Sequence, residues 1–296
     1  PPPSPPPPPL RPHWANPHAA NDAPQDQHGT HLGWLDSLGD TENTAVFFFG
    51  DHGRPHVWDK QWLYDGGIRV PLIVRWPGVA EAGKTDDRLV SLLDVSKQTV
   101  YAACASARIE MPGGFDGHAF LAEFAPGRDH IIAARDRCGD ACDRIRCVRT
   151  RRYKYIRNFY PELPYWQTSR YKAVQYPALA VMKKLHKRGE LTAAQARFFA
   201  KRKPAEELYD LSADPHETTN LALDPEHSGT VESLRATLDD WIADSGDRGA
   251  TPERLELYDA AVEGSSRHFI QFKPDSWDER SESIRSKLRE RGLVPD

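Results

Sequence analysis

A four-residue apolar run, Val46-Phe47-Phe48-Phe49, stops at Gly50-Asp51-His52-Gly53, and a second run, Val70-Pro71-Leu72-Ile73-Val74, follows a polar loop. A short apolar run bounded by glycine predicts a buried strand of a parallel sheet. Ligands of open α/β sheets sit outside the carboxyl ends of the strands. Asp51 and His52 therefore stand where an active-site acid and imidazole belong, and Lys60 adds an amine to the same loop. Two buried strands flanking such a loop leave few architectures other than an α/β sheet.

The chain has 296 residues and a formal net charge of -4, which gives no general case for nucleic-acid binding. No apolar stretch approaches the roughly 20 residues of a membrane span. Four cysteines (Cys104, Cys138, Cys142, Cys147) are too few for a disulfide scaffold. Their spacing does not match a structural zinc site, and it leaves a Cys138–Cys142 disulfide open. The chain begins with PPPSPPPPPL rather than Met and reads as a fragment or processed form.

Residues 1–30 are Pro-rich and then polar, the composition of polyproline II and coil. Leu32, Leu35 and Leu38 share one helical face, with Gly39 at its end. Leu89 to Ala105 reads as a helix covering the sheet, and Phe120 to Phe124 as a short helix or turn. A strand is expected at 130–134. A hairpin is expected with strands 144–149 and 153–158 about the turn Thr150-Arg151-Arg152. Seven basic residues crowd it: Arg144, Arg146, Arg149, Arg151, Arg152, Lys154 and Arg157. The expectation is a solvated antiparallel face, with a basic wall facing an anionic ligand as the sharper alternative. Residues 159–176 read as a loop and 178–188 and 192–203 as helices, with Thr192 as N-cap. A strand at 207–211 and an amphipathic helix at 230–242 follow. Asp214-Pro215-His216-Glu217 reads as a turn, although its residue types suggest a catalytic cluster.

Three stretches together resemble the type I, formylglycine-dependent sulfatases. GDHGRPHVWDKQWLYDGGIRVPLIVRWPG is similar to their metal and sulfate loop, and ELYDLSADPHETTNLA to the stretch before their last helix. AARDRCGDACDRIRCVRTRRYKYIRNFYPELPY resembles the N-sulfoglucosamine sulfohydrolase (sulfamidase) branch. The resemblance covers roughly 32–245. It implies an alkaline-phosphatase-like α/β fold followed by a smaller α+β domain with an antiparallel sheet. It divides the chain into a Pro-rich segment (1–30), the C-terminal part of the sulfatase domain (31–127), the small domain (128–245) and a charged arm (246–296).

The reaction the resemblance implies is hydrolysis of sulfate esters or sulfamates on a sulfated sugar or glycosaminoglycan, in a periplasmic, secreted or lysosomal setting. The cofactors would be a formylglycine nucleophile and Ca2+. Carried over, Asp51 and His52 match the calcium pair. Asp51 offers the oxygen a hard cation wants, and His52 contacts sulfate or nucleophile as readily as metal. Lys60 matches the residue on the sulfate group, where a fixed positive charge stabilises the charge that builds on sulfate oxygens. Arg54 and His56 are candidates for substrate contact, with solvated loop residues as the alternative. Arg135, Asp136 and Arg137 match a stretch facing the sugar, where guanidiniums could hold a carboxylate or second sulfate. The alternative there is an internal ion-pair network.

A Cys/Ser-x-Pro-x-Arg nucleophile motif is absent from these residues. The nearest stretch, Cys104-Ala105-Ser106-Ala107-Arg108, has no proline and lies after the metal loop, so Cys104 reads as a small buried helix residue. The carboxylates that would complete a calcium site are absent as well. Half a site is expected, and no turnover by this chain alone. Two alternatives remain: a non-catalytic module binding sulfated polysaccharide through the 144–157 hairpin, and a phosphoester hydrolase of the same superfamily.

Overall fold

The computed structural model describes residues 27–54, 56–121, 127–138, 141–167 and 177–251. Most of the Pro-rich segment, residues 122–124 of the expected 120–124 turn, residues 168–176 of the 159–176 loop and 252–296 of the charged arm lie outside them.

Helix α1 runs over 27–38, so helix begins inside the segment expected to be coil, and Gly39 ends it at φ 73°. Strand β1 (Val46–Phe49) pairs with β2 (Leu72–Arg75) in a two-stranded sheet. The pairing is antiparallel, with Val46 opposite Arg75 and Phe49 opposite Leu72. This corrects the parallel expectation. A parallel return needs a crossover, usually helical, to the far end of the strand. Here the described residues of the intervening segment contain only a one-turn helix, α2 (Asp65–Ile68). The neck is closed where the Gly50 N–H donates to the Pro71 carbonyl at 3.2 Å, so the chain returns where it left. Nor is the apolar run buried: Phe48, Phe49 and Ile73 are exposed, Ile73 at 61%.

Helix α3 (Leu92–Ala107) starts with a Ser91/Asp94 capping box and ends at Arg108 in the left-handed region. The box satisfies two otherwise orphaned backbone donors. Cys104 is buried in its last turn, as its reading as a small helix residue requires, whereas Leu93 is exposed.

The second sheet has four antiparallel strands in sequence order: β3 (His130–Cys138), β4 (Ala141–Thr150), β5 (Tyr153–Asn158) and β6 (Glu206–Asp210). The hairpin register pairs Ile145 with Asn158 and Arg149 with Lys154, as its alternation predicts. Strand β3 is longer than expected and takes in Arg135, Asp136 and Arg137, with a register shift between 135 and 137. Cys138 and Cys142 fall in successive cross-strand pairs, whose side chains point to opposite faces, and none of the four cysteines is in a disulfide.

Helices α4 (Pro177–Arg188) and α5 (Ala193–Ala196) follow; α5 is capped by Thr192 and is shorter than expected because the chain tightens into a 3-10 turn at Arg197–Phe199. Helix α6 (Ser228–Ser245) buries Val231, Leu234 and Leu238. One face of the sheet packs Val148, Tyr155 and Leu208 against α6. The other packs Ile145, Cys147, Ile156 and Tyr209 against Phe198, Phe199 and the loop residues Trp62, Leu63 and Tyr64. The loop between β1 and β2 thus supplies part of the core of the second sheet.

Candidate functional site

The loop from Gly50 to Pro71 is a compact lobe, built by glycine. A Cβ at Gly53 would strike the Gly66 carbonyl, one at Gly66 the Asp59 carboxylate, and one at Gly67 the backbone of Trp62 and Asp59. Only residues without a side chain allow these approaches. Within the lobe the Gly53 N–H donates to the Gly67 carbonyl at 2.9 Å, the Lys60 N–H to the Arg54 carbonyl at 3.0 Å and the Trp62 N–H to the Asp59 carbonyl at 2.9 Å. Gln61, beside Lys60, sits at φ 84°, a conformation that needs surrounding structure to hold it.

Asp51 and His52 lie together at the lobe's entry. The His52 N–H donates to Asp51 Oδ1 at 3.0 Å, and His52 Nε2 is 3.6 Å from Asp51 Oδ2. His52 Nδ1 lies 2.8 Å from the Gly53 carbonyl, which fixes the ring. The Asp51 side chain is 86% exposed, so its oxygens face outward. Arg54 is tied back to Asp59, 3.3 Å apart. His56 and Lys60 are half-buried.

A groove of about 2030 Å3 runs past this entry. Its lining takes Asp51, His52 and Gln61 from the lobe and Arg135, Asp136 and Arg137 from β3. Arg54, His56 and Lys60 are outside that lining. The structure therefore brings the acid and imidazole together with the β3 triplet, and keeps the three other basic candidates on the lobe itself. Strand alternation separates the triplet. Arg135 is buried, its guanidinium 4.6 Å from the Trp62 ring centroid. Asp136 pairs with Arg146 across the β3–β4 pairing at 2.8 Å.

Calcium takes 6–8 oxygen ligands. Among the described residues no three His, Cys, Asp or Glu side chains converge as a metal site. Asp51 and His52 alone do not fit the ion.

The basic hairpin is the largest correction. Arg146 and Lys154 are fully buried, and their charges are answered inside the protein. Arg146 meets Asp247 at 2.6 Å as well as Asp136, Arg149 meets Asp65 at 3.0 Å, Arg152 meets Asp210 at 2.7 Å and Arg157 meets Asp239 at 2.5 Å. A buried charge survives only when paired. Most of the hairpin's cations are therefore answered by carboxylates rather than by solvent, while Arg151 is exposed and lines the groove together with Arg149.

The residues that sequence reasoning missed are the buried carboxylates and their partners. Lys154 Nζ lies 2.6 Å from Asp65 and 2.8 Å from Glu217, and the Asp65 N–H donates to Glu217 at 2.6 Å. Burial pushes the Asp65 carboxyl up, but the Arg149 hydrogen bond and the Lys154 charge outweigh it and hold the group below the ordinary range. Burial wins at Glu217, whose carboxyl is raised despite Lys154. Glu207, nearly fully buried, accepts from Tyr64 at 2.8 Å, Tyr209 at 2.5 Å, Tyr165 at 3.0 Å and Asn158 at 2.7 Å. The signal for Lys154 was present: it is in phase with Ile156 on β5, and a lysine on an apolar face requires a partner. The Asp214–Glu217 turn is structural, with Asp214 accepting from the Thr218 and Thr219 N–H groups at 2.6 and 2.8 Å.

A model of the sulfatase family matches residues 29–103. Over 84% of its length the chain is 36% identical to an ulvan-active sulfatase of Formosa agariphila, covering 41% of that protein. The chain belongs to the sulfatase family. Among solved structures, a 2-O GAG sulfatase matches 75% of the chain at a TM-score of 0.52 and 24% identity, with 41% of that structure covered. A phosphonate monoester hydrolase of Agrobacterium radiobacter matches 78% at 0.50 and 20%, again covering 41%. These likenesses show the alkaline-phosphatase-like α/β fold. The sulfatase chain spans about two fifths of the length of the relatives it matches. None of the three likenesses singles out the sulfamidase branch.

Proposed function

We propose that this chain carries the metal-side half of a sulfatase active site and serves hydrolysis of sulfate groups on an anionic polysaccharide. The observation that carries the reading is the lobe itself. A glycine-built loop in a sulfatase-family chain sets Asp51 and His52 at the mouth of a groove, with Lys60 in the same loop. In this reading Lys60 is the positive charge on the sulfate group, stabilising charge as the S–O or S–N bond breaks. His52, its ring fixed by the Gly53 carbonyl, is a hydrogen-bond partner for the sulfate. Asp51 would offer one oxygen donor to a calcium ion, which needs several oxygen ligands besides it. Arg54, His56 and the Arg135–Arg137 stretch are the candidate sugar contacts. The likeness to an ulvan-active sulfatase favours an O-sulfate ester of an acidic polysaccharide over the sulfamate of the N-sulfoglucosamine branch. The setting is periplasmic or secreted, where such polymers are met. No described helix is long and apolar enough to cross a membrane.

The test is sulfate release from a sulfated polysaccharide, with and without a partner polypeptide carrying a Cys/Ser-x-Pro-x-Arg motif. The chain alone is expected to be inactive. With the partner, Lys60→Ala is expected to lower turnover by about 100-fold or more. Release of phosphate from a phosphoester in preference to sulfate would overturn the reading in favour of the hydrolase chemistry that shares this fold.

A further inference from the structure

We propose that Asp65 is the positioning residue of the 51–60 loop, locking it to the four-stranded sheet through a buried four-charge cluster. The inference rests on the reading of that loop as a sulfate site. The loop is irregular apart from the single turn of α2, and it springs from a two-stranded ribbon with exposed apolar side chains. Ordering such a segment costs backbone entropy, so something outside the ribbon must hold it.

Two cations, Arg149 on β4 and Lys154 on β5, face two carboxylates, Asp65 of the loop and Glu217 of the turn after β6. The cluster is charge-balanced, as burial demands. Lys154 cannot turn to solvent, because its side chain is fully enclosed. Next to Asp65, the Tyr64 hydroxyl adds a hydrogen bond to Glu207.

A mechanical path leads from the lock to the candidate site. Asp65 starts Asp65-Gly66-Gly67; Gly66 lies against the Asp59 carboxylate, and the Gly67 carbonyl accepts from the N–H of Gly53. Gly53 follows His52 directly, and its carbonyl holds the His52 ring. Moving Asp65 therefore moves the backbone that sets the Asp51–His52 pair. Removing Asp65 leaves Lys154 paired with Glu217 of the turn after β6 and frees only Arg149, at the sheet's edge of the cluster, so the loop should loosen more than the sheet.

The test is hydrogen exchange of the full chain with Asp65→Ala, joined to binding of inorganic sulfate. Loop amides in 51–64 are expected to exchange about tenfold faster or more, with β4, β5 and β6 changed less than about twofold. Sulfate affinity should fall about tenfold. Asp65→Asn, which keeps the side-chain volume, is expected to give the same split if the alanine variant does not fold. Unchanged loop protection, equal acceleration of loop and sheet in the asparagine variant, or, where Lys60→Ala does weaken sulfate binding, a loosened loop with undiminished sulfate affinity would each overturn the proposal. Lys60→Ala separates the two readings. If it leaves sulfate binding intact while Asp65→Ala still loosens the loop, the lock stands and the sulfate reading fails.

Discussion

The ribbon β1–β2 and the sheet β3–β6 are both antiparallel and both written in alternating or continuous apolar residues, yet only one has an interior. In the second sheet Val148, Tyr155 and Leu208 are fully buried beneath α6, and even the cations between them are enclosed. In the ribbon, Phe48, Phe49 and Ile73 face outward, as do Trp34 and Leu38 of α1 and Leu93 of α3. A two-stranded ribbon has too little face to stabilise itself. The contrast teaches that an apolar run reports a strand's ability to be buried, and that burial itself depends on which strands are present. The loop joining β1 to β2 belongs energetically to the other sheet, where Trp62 and Tyr64 complete the core and Asp65 completes the charge cluster.

The comparison can be broken first at Lys154. Lys154→Met leaves Asp65 and Glu217 facing each other with one cation fewer, and is expected to lower stability by about 3–5 kcal/mol in urea unfolding. A loss under 1 kcal/mol would mean that the cluster is not an organising feature.

Packing gives the next contrast. Leu238→Ala, at a fully buried position of α6, is expected to cost about 2–5 kcal/mol. Ile73→Ala on the exposed ribbon is expected to stay within about 0.5 kcal/mol. Equal losses at the two sites would show the ribbon to be as well covered as the sheet.

Acid sharpens the same point. Asp65 has a depressed carboxyl pKa, so its contribution is present above the unfolded value near 3.8 and is lost as pH falls through the lower folded value. Glu217 is shifted the other way, so its titration favours the folded state as pH falls and does not cause acid loss. Urea midpoints measured from pH 6 to 3 should therefore drop near the bottom of that range, and less steeply in Asp65→Asn. The smallest effect is expected at the rim: Arg152 is 61% exposed against Asp210, and Arg152→Ala should cost under about 1 kcal/mol.

What the sequence made legible follows the range of the interactions. The hairpin, its turn, the Thr192 cap and the inward face of α6 are local, and period and capping chemistry read them correctly. The antiparallel pairing of β1 with β2 was not legible, because a glycine-bounded apolar run looks the same in either direction. Nor was the fate of the basic hairpin: Arg146 meets Asp247 and Arg157 meets Asp239 across long stretches of chain, and no local pattern joins them. At the candidate site, residue type and the strand end point to Asp51 and His52, with Lys60 in the same loop, and the roles of all three rest on the resemblance to sulfatases. Asp65, Lys154 and Glu217 stayed hidden because their roles exist only once three distant segments meet.

Native-state hydrogen exchange of the unmodified chain tests the central contrast most directly. If the sheet is the organised region and the loop its outpost, amides of β4 and β5 exchange only through global unfolding. Those of Gly53, Trp62 and Gly67 follow them closely, and those of β1 and β2 exchange orders of magnitude faster. Protection of β1 and β2 equal to that of β4 and β5, or a loop that exchanges with the ribbon rather than with the sheet, would contradict the account.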